Sequence, residues 1–191
     1  MTSRLGDMLM HAEKMFGPRD KSYTILGIEF NESGPRIWYP KNNRNIVIQL
    51  TPDSLNSEMI ALYQLAHECI HLLSPSGDEN ALVLEEGTAV WFSWWYLSHV
   101  FGIDGKVYTQ DGPYKDAGLL VERILASCPD VICKLRSIRN NWWELTSRDI
   151  LECCPISVQD SQTLAMSFDD YKKRRPEFHQ QPNFIDSTLS F

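Results

Sequence analysis

One short pattern, H-E-x-x-H, constrains the fold of this chain more than any other feature of its sequence. It comprises His67, Glu68 and His71. On an α-helix, residues four apart lie on the same face, with Cβ atoms about 6 Å apart. Two imidazoles at that spacing can bind one zinc ion, and a Glu between them can deprotonate a water that the zinc activates. The pattern predicts a metal site if it lies on a helix and a third ligand is near.

The residues around the pattern have helical rather than alternating spacing. Between Leu55 and Leu73 there is no Gly or Pro, and apolar residues recur three or four positions apart. Residues 52–54 (Pro-Asp-Ser) offer N-cap side chains, and residues 74–77 (Ser-Pro-Ser-Gly) end the segment. We therefore predict a helix over 55–73 with the histidines in its last two turns. The alternative is a helix that carries two surface histidines and an unrelated Glu.

Two adjacent carboxylates, Glu85 and Glu86, interrupt the apolar segment that follows this turn. The segment has the composition of a second helix, with Asp78 as its predicted N-cap. A buried carboxylate without a partner is costly, so a buried Glu is usually paired with a cation or bound to a metal. The pair therefore predicts a third metal ligand, and the alternative is a partly exposed helix face or an ion pair.

The pattern H-E-x-x-H followed by Glu86-Gly87-Thr88-Ala89, an E-G-x-A segment, resembles the gluzincin group of zinc metallopeptidases. The resemblance covers residues 55–96. It implies that His67, His71 and Glu86 bind one Zn²⁺ ion with water in the fourth position, and that Glu68 is the general base. Glu86 follows His71 by 15 residues. This gap is shorter than in the thermolysin and aminopeptidase types and is similar to that of compact single-domain relatives.

The adjacent Glu85 is the alternative third ligand. On a helix of 3.6 residues per turn, Glu86 shares a face with Ala89 and Ser93, whereas Glu85 shares one with Phe92 and Tyr96. The E-G-x-A context favours Glu86 as the ligand. Glu85 is then expected to act as hydrogen-bond partner to a histidine ligand.

The implied function is zinc-dependent peptide-bond hydrolysis by a small soluble metallopeptidase that acts on a peptide or protein substrate. One alternative is a zincin-like binding or regulatory module without proteolytic activity. Another is a helical interaction protein without metal. The sequence near the pattern offers no obvious fourth His or Cys, and three protein ligands plus water are typical of an open catalytic site.

Such a reaction also needs a hydrogen-bond donor for the oxygen that becomes negative in the transition state. The family resemblance points to a Tyr, His or Arg in the helical half of the chain. Tyr108 and Tyr114 flank the loop after the long apolar helix and are the preferred candidates. Three further candidates have no supporting motif: Tyr96, His99 and Arg123.

Length and charge limit the kind of partner. The 191 residues, 43% of them hydrophobic, predict a single domain over 1–175 followed by a tail over 176–191 that wraps the domain or is partly disordered. A net charge of −7 argues against nucleic acid. The basic run at 172–175 is interpreted as a solvated helix end.

The cysteines and the N-terminus favour a reducing cytoplasm. There are five cysteines, an odd number, and none has C-x-x-C spacing. Residues 1–16 resemble an amphipathic helix rather than a signal peptide. Residues 87–103 lack Asp, Glu, Lys and Arg, and we interpret them as a buried core helix rather than a membrane span.

The remaining elements predict an α+β fold in which a small antiparallel sheet precedes a mostly helical half. Their order resembles the N-terminal half of a zincin core, and this resemblance implies a zincin-like fold with the H-E-x-x-H helix at the cleft. A helix is expected over 5–16 and strands over 23–30, 36–39 and 46–50. The strand over 46–50 is either the strand that pairs with substrate or an ordinary interior strand. Further short helices are expected over 114–126, 130–138, 147–153 and 157–168.

Overall fold

The chain has an α+β architecture, described here from a computed structural model that covers residues 1–41, 44–77 and 81–179. Within those residues a three-stranded sheet is followed by a helical half. The helices are α1 (Thr2–Phe16), α2 (Glu58–His71), α3 (Val83–Phe101), α4 (Pro113–Ser127), α5 (Val131–Ile138), α6 (Ser147–Cys153), α7 (Val158–Leu164) and α8 (Phe168–His179). The strands are β1 (Thr24–Phe30), β2 (Arg36–Trp38) and β3 (Asn45–Leu50), and 3₁₀ turns span Pro52–Leu55, Gly105–Tyr108 and Trp142–Glu144.

The sheet is mixed, so the expectation of an antiparallel sheet is wrong. Its strand order is β1–β3–β2, with β3 parallel to β1 and antiparallel to β2. The short turn between β1 and β2 suggests a hairpin, but β3 inserts between them. Its apolar side chains Ile46, Ile48 and Leu50 are fully buried, as suits a strand with neighbours on both sides.

The position of β3 also decides the role proposed for residues 46–50. Both edges of β3 are already paired, so it is an interior strand and cannot pair with a substrate. The edge strand on the side of the predicted metal site is β2, since Arg36 and Ile37 line the cavity described below. Of the two alternatives that the sequence leaves open for residues 46–50, the ordinary interior strand is therefore the one observed.

The metal-pattern helix α2 begins later than predicted. Residues 52–55 form a 3₁₀ turn, and Ser57 is the N-cap, its hydroxyl accepting a hydrogen bond from the Ile60 N–H at 3.3 Å. The helix ends at His71. The predicted cap Asp78 lies outside the described residues, and α3 begins at Val83 after Leu82.

Helix α3 is a central element of the fold, as the uncharged segment over 87–103 indicates. It packs against α2 and α4, and its buried residues surround the helix, Phe92, Trp94 and Tyr96 among them. Gly102 ends it in the left-handed conformation, with φ 68°. Across the described ranges, no helix combines the length and apolarity needed to cross a membrane.

The last helices lie close to their predicted positions, with one division that the sequence does not indicate. The segment over 157–168 splits into α7 and α8, and α8 continues to His179, past the predicted start of the tail at 176. A bridge between Leu82 and Ser167 joins the start of α3 to the start of α8. Residues 180–191 lie outside the described part. All five cysteines are free thiols, as expected.

Candidate metal centre

The two histidines of the pattern meet at one point on the face of α2. They lie one helical turn apart, and their Nε2 atoms are 3.2 Å from each other. Two imidazole nitrogens this close repel each other if both present a lone pair, unless a proton or a metal ion lies between them. The local geometry predicted from the spacing is therefore present.

Glu86 reaches the same point from the first turn of α3. Its Oε2 atom lies 3.3 Å from His67 Nε2, and its Oε1 atom lies 3.8 Å from His71 Nε2. Oε2 is buried and makes no hydrogen bond of good geometry, even to His67. In the described part of the chain, His67, His71 and Glu86 are the one group of three such side chains whose ligand atoms lie within 4.8 Å of one another.

These separations fit a tetrahedral zinc site. With zinc–ligand bonds of 2.0–2.1 Å, the ligand atoms of a tetrahedral site lie about 3.3 Å apart. The Nε2–Nε2 separation of 3.2 Å and the separation of 3.3 Å between His67 Nε2 and Glu86 Oε2 match that edge. The distance of 3.8 Å from His71 Nε2 runs to the other carboxylate oxygen, Oε1. Two imidazoles and one carboxylate form a donor set that zinc accepts with one position left for water.

Glu85 is placed behind the histidines rather than among the ligand atoms. Its Oε1 atom is 2.8 Å from His71 Nδ1, and the residue is 4% exposed. An ionised Glu85 can only accept, so Nδ1 carries the proton and the Nε2 lone pair faces the ligand position. Glu85 therefore contacts the back of the His71 ring, and Glu86 lies beside the two Nε2 atoms. This is the arrangement that the E-G-x-A context favours.

Glu68 lies beside the ligand atoms in an apolar environment. It is 2% exposed, it borders the cavity, and its Oε2 atom has no hydrogen-bond partner. Burial raises the pKa of Glu68, although the neighbouring His71 and His67 oppose the increase. A carboxyl group with a raised pKa is better matched to proton transfer near neutral pH.

The site has an excess of negative charge. Glu68, Glu85 and Glu86 are all buried around two imidazoles. Burial lowers the pKa of His71, but the Glu86 carboxylate and the hydrogen bond to Glu85 outweigh burial and raise it to about 10. This arrangement favours a cation between the histidines, which can be a proton or a metal ion.

A cavity of about 760 Å³ opens directly above the ligand atoms. One wall is the segment around β2, and the opposite wall is the loop before α4. Because the bridge at Leu82 holds the start of α8 against α3, residues of α8 complete the rim. The residues that line this cavity include Ser33, Pro35, Arg36, Ile37, Tyr39, Tyr63, Tyr108, Thr109, Tyr114, Phe168, Asp169 and Lys172.

The two preferred transition-state donors both line this cavity. Tyr114 meets the ring of His67 edge-on, with 6.1 Å between centroids. Burial raises the pKa of its phenol, and the Glu86 and Glu68 carboxylates add to that increase. Tyr108 lies further out and packs against Tyr63.

The other three candidates do not reach the cavity. Tyr96 is buried and donates a hydrogen bond to Asp7 Oδ2 at 2.6 Å. His99 stacks on Trp95 with ring centroids 4.6 Å apart. Arg123 pairs with Asp160 on the surface. None of these residues contributes to the cavity wall.

The cavity includes residues that the sequence analysis does not single out. Tyr63 lies four positions before His67, so the helical spacing that pairs His67 with His71 also places Tyr63 on this face. The cavity wall also includes Phe168, Asp169 and Lys172 of α8, because the bridge between Leu82 and Ser167 holds the start of α8 beside the start of α3. No local sequence signal indicates that long-range contact.

Comparison of the chain with protein-family models, curated proteins and solved structures finds no match.

Proposed function

We propose that this protein is a zinc-dependent peptide-bond hydrolase with His67, His71 and Glu86 as metal ligands and Glu68 as general base. One observation supports this most directly. One ring nitrogen of each histidine and the Glu86 carboxylate oxygens lie within 3.2–3.8 Å of one another, beside the buried Glu68 carboxylate and at the wall of an open cavity. A closed structural zinc site has four protein ligands, whereas a catalytic site keeps one position open to the cavity.

Each residue has a distinct role in this proposal. Zinc, when bound, supplies a Lewis acid that lowers the pKa of water and polarises a carbonyl group. Glu68 accepts the proton of the attacking water and passes it to the leaving amine. Glu85 holds the proton on His71 Nδ1 and so keeps Nε2 aimed at the ligand position.

The cavity suits a peptide in extended conformation. Its volume of about 760 Å³ lies within the usual range of ligand pockets, roughly 300–1,000 Å³. The edge strand β2 forms one wall, and edge strands bind extended peptides by main-chain hydrogen bonds. We also infer a reducing, cytoplasmic location, which the five free thiols support.

Metal analysis tests the ligand set. The purified protein should contain about one zinc per chain, and a variant with His67→Ala and His71→Ala should contain almost none, because two of three ligands are removed. His99→Ala removes an exposed histidine outside the cavity and should leave zinc content unchanged. Equal zinc in the wild type and the double variant would show that the metal, if any, binds elsewhere.

Replacement of the general base tests the reaction. Glu68→Gln should retain zinc and lose about 100- to 10,000-fold in the rate of cleavage of an internally quenched peptide library. Glu58→Gln changes an exposed Glu on the same helix and should retain full activity. Full activity in Glu68→Gln would remove the mechanism. Zinc binding without any cleavage by the wild type would favour a non-proteolytic binding module.

A further inference from the structure

Tyr63 lies on the metal-binding face of α2. It precedes His67 by one helical turn and lines the cavity, with its ring against Tyr108 at 6.2 Å between centroids. Its hydroxyl oxygen lies 2.7 Å from Thr109 Oγ1. Tyr63 therefore joins the metal site to the opposite wall of the cavity through one hydrogen bond.

The direction of that hydrogen bond follows from a second contact of Thr109. Trp94 Nε1, which can only donate, gives a hydrogen bond to Thr109 Oγ1 at 2.7 Å. Thr109 is 9% exposed, and among the described residues Tyr63 Oη is the acceptor within reach of its hydroxyl proton. A buried hydroxyl without an acceptor costs about 1–3 kcal/mol, so Thr109 donates to Tyr63.

This assignment leaves the proton of Tyr63 available to the cavity. The Tyr63 oxygen accepts from Thr109, and its own O–H is then free to donate into the cavity that Tyr63 lines together with the proposed ligands. Burial raises the pKa of Tyr63, the hydrogen bond from Thr109 lowers it, and the Glu86 carboxylate raises it. Tyr63 lies one helical turn from the proposed ligand His67 and lines the same cavity as Glu86.

We propose that Tyr63 donates a hydrogen bond to the scissile carbonyl oxygen of the substrate as that oxygen becomes negative, and that Thr109 holds Tyr63 in position. The inference rests on the proposed hydrolysis and assigns the donor that this reaction needs besides zinc. Tyr63 keeps its proton throughout, because it donates a hydrogen bond and does not transfer a proton.

Tyr63 is better suited to this role than Tyr114. A donor is most effective when its orientation is fixed before the reaction, since no reorganisation is then needed. Tyr63 is anchored by the chain Trp94–Thr109–Tyr63, all of whose hydrogen bonds are 2.7 Å long. Tyr114 is held through ring contacts with His67 and Phe168, and in the described part of the chain its hydroxyl makes no hydrogen bond.

Removal of single hydroxyl groups tests the assignment. Tyr63→Phe should lower kcat about 100- to 1,000-fold, with KM changed by a small factor and zinc content unchanged. It should weaken binding of a phosphinic pseudopeptide, a mimic of the charged transition state, by a similar factor. Tyr23→Phe removes a phenol hydroxyl outside the cavity and is the matched control, which should change both quantities only slightly. Tyr114→Phe tests the competing assignment.

Variants of Thr109 test the positioning role. Thr109→Val cannot donate to Tyr63 and should give a kcat between those of the wild type and Tyr63→Phe. Thr109→Ser retains the hydroxyl and should keep kcat near the wild-type value. A purely structural role of the threonine methyl group would give the reverse result, because valine keeps a methyl group and serine does not.

The outcomes separate this inference from the proposed function. If the wild type cleaves peptides and binds the phosphinate while Tyr63→Phe does both equally well, the assignment of Tyr63 alone is wrong. The assignment is equally wrong if Tyr114→Phe shows the loss instead. If the wild type neither cleaves the library nor binds the phosphinate, the proposed hydrolysis fails and the role of Tyr63 fails with it.

Discussion

At the scale of single residues, the two ring nitrogens of His71 face two adjacent carboxylates with different roles. Nδ1 is hydrogen-bonded to Glu85 at 2.8 Å, and Nε2 faces Glu86 at 3.8 Å. Successive residues of α3 project about 100° apart, so neighbouring carboxylates reach opposite sides of one imidazole. In the proposed site, Glu85 orients the ring and Glu86 completes the ligand set.

Replacement of Glu85 should weaken zinc binding without unfolding the protein. Glu85→Leu removes the acceptor for His71 Nδ1–H, and loss of such a partner lowers metal affinity by about 10- to 100-fold. Glu85→Gln retains an acceptor oxygen and should lose less. Zinc affinity can be measured by competition with a fluorescent chelator.

The metal-free form of Glu85→Leu supplies the control. Burial raises the pKa of Glu85, which reflects the cost of keeping a carboxylate there. Leucine removes that cost but leaves His71 Nδ1–H without its acceptor, so the metal-free variant should unfold at a lower temperature than the metal-free wild type. Glu85→Gln keeps an acceptor and should unfold closer to the wild type. Unchanged zinc affinity in Glu85→Leu would contradict the orienting role.

How far the site can be predicted from sequence depends on how local each residue is. His67, Glu68 and His71 follow from helix geometry alone, because four residues of spacing determine their face. The distinction between Glu85 and Glu86 depends on how α3 packs against α2, and only the E-G-x-A context indicates it. Tyr63 requires the long-range contact with Thr109, which no local pattern reveals.

At the scale of elements, the close contact between α3 and α4 depends on Gly87. A Cβ atom at this position would lie 2.5 Å from the Ala117 carbonyl oxygen and 2.7 Å from Val121 Cγ2. The obstacle includes backbone, which cannot rotate away. The glycine that follows the proposed ligand Glu86 therefore lets a second helix press against the start of α3.

Gly87→Ala should destabilise the protein and disturb the metal site. The added methyl group forces the backbones of α3 and α4 apart, and such overpacking costs about 1–3 kcal/mol. Alanine favours a helix over glycine by roughly 1 kcal/mol, so we expect the cost of overpacking to be the larger of the two effects. Separation would also displace the adjacent Glu86, so zinc affinity should fall. Chemical denaturation and a zinc titration measure the two effects.

The matched control is Gly6→Ala on α1. Gly6 is exposed, and an added Cβ atom there would have no neighbour within 4 Å. This variant should be more stable than the wild type by about 0.5–1 kcal/mol, with unchanged zinc affinity. If both glycine variants were stabilised alike, the steric explanation for Gly87 would be wrong.

In the sheet, the sequence predicts the positions of the strands but not the order in which they pair. The positions of all three strands follow from their apolar residues, but their pairing does not. The turn after β1 favours a hairpin, whereas the buried side chains Ile46, Ile48 and Leu50 require β3 to lie centrally over the core. Such pairing is decided by which strand buries most apolar surface, a property of the whole core.

At the scale of the whole molecule, Arg136 of α5 forms hydrogen bonds with the segment that follows α2. Its guanidinium donates four hydrogen bonds of 2.7–3.0 Å to the carbonyl oxygens of Phe16, Gly17, Pro18 and Leu73. It thereby joins the end of α1 to the chain just after His71. The C-terminal half of the protein thus fixes the end of the helix that carries the proposed ligands.

Because the proposed ligands come from both α2 and α3, a bound zinc ion should stabilise the whole fold. A ligand present at 1,000 times its dissociation constant adds about 4.1 kcal/mol to the free energy of unfolding. In a chain of this size each kcal/mol shifts Tm by about 2–4 °C, so removal of zinc by a chelator should lower Tm by roughly 8–16 °C. Differential scanning calorimetry of the protein with zinc, with chelator, and after zinc is restored measures the shift. The variant with His67→Ala and His71→Ala should not respond, whereas His99→Ala should respond like the wild type. An equal response of the double variant would place the stabilising metal elsewhere, and no response of the wild type would favour a helical protein that functions without metal.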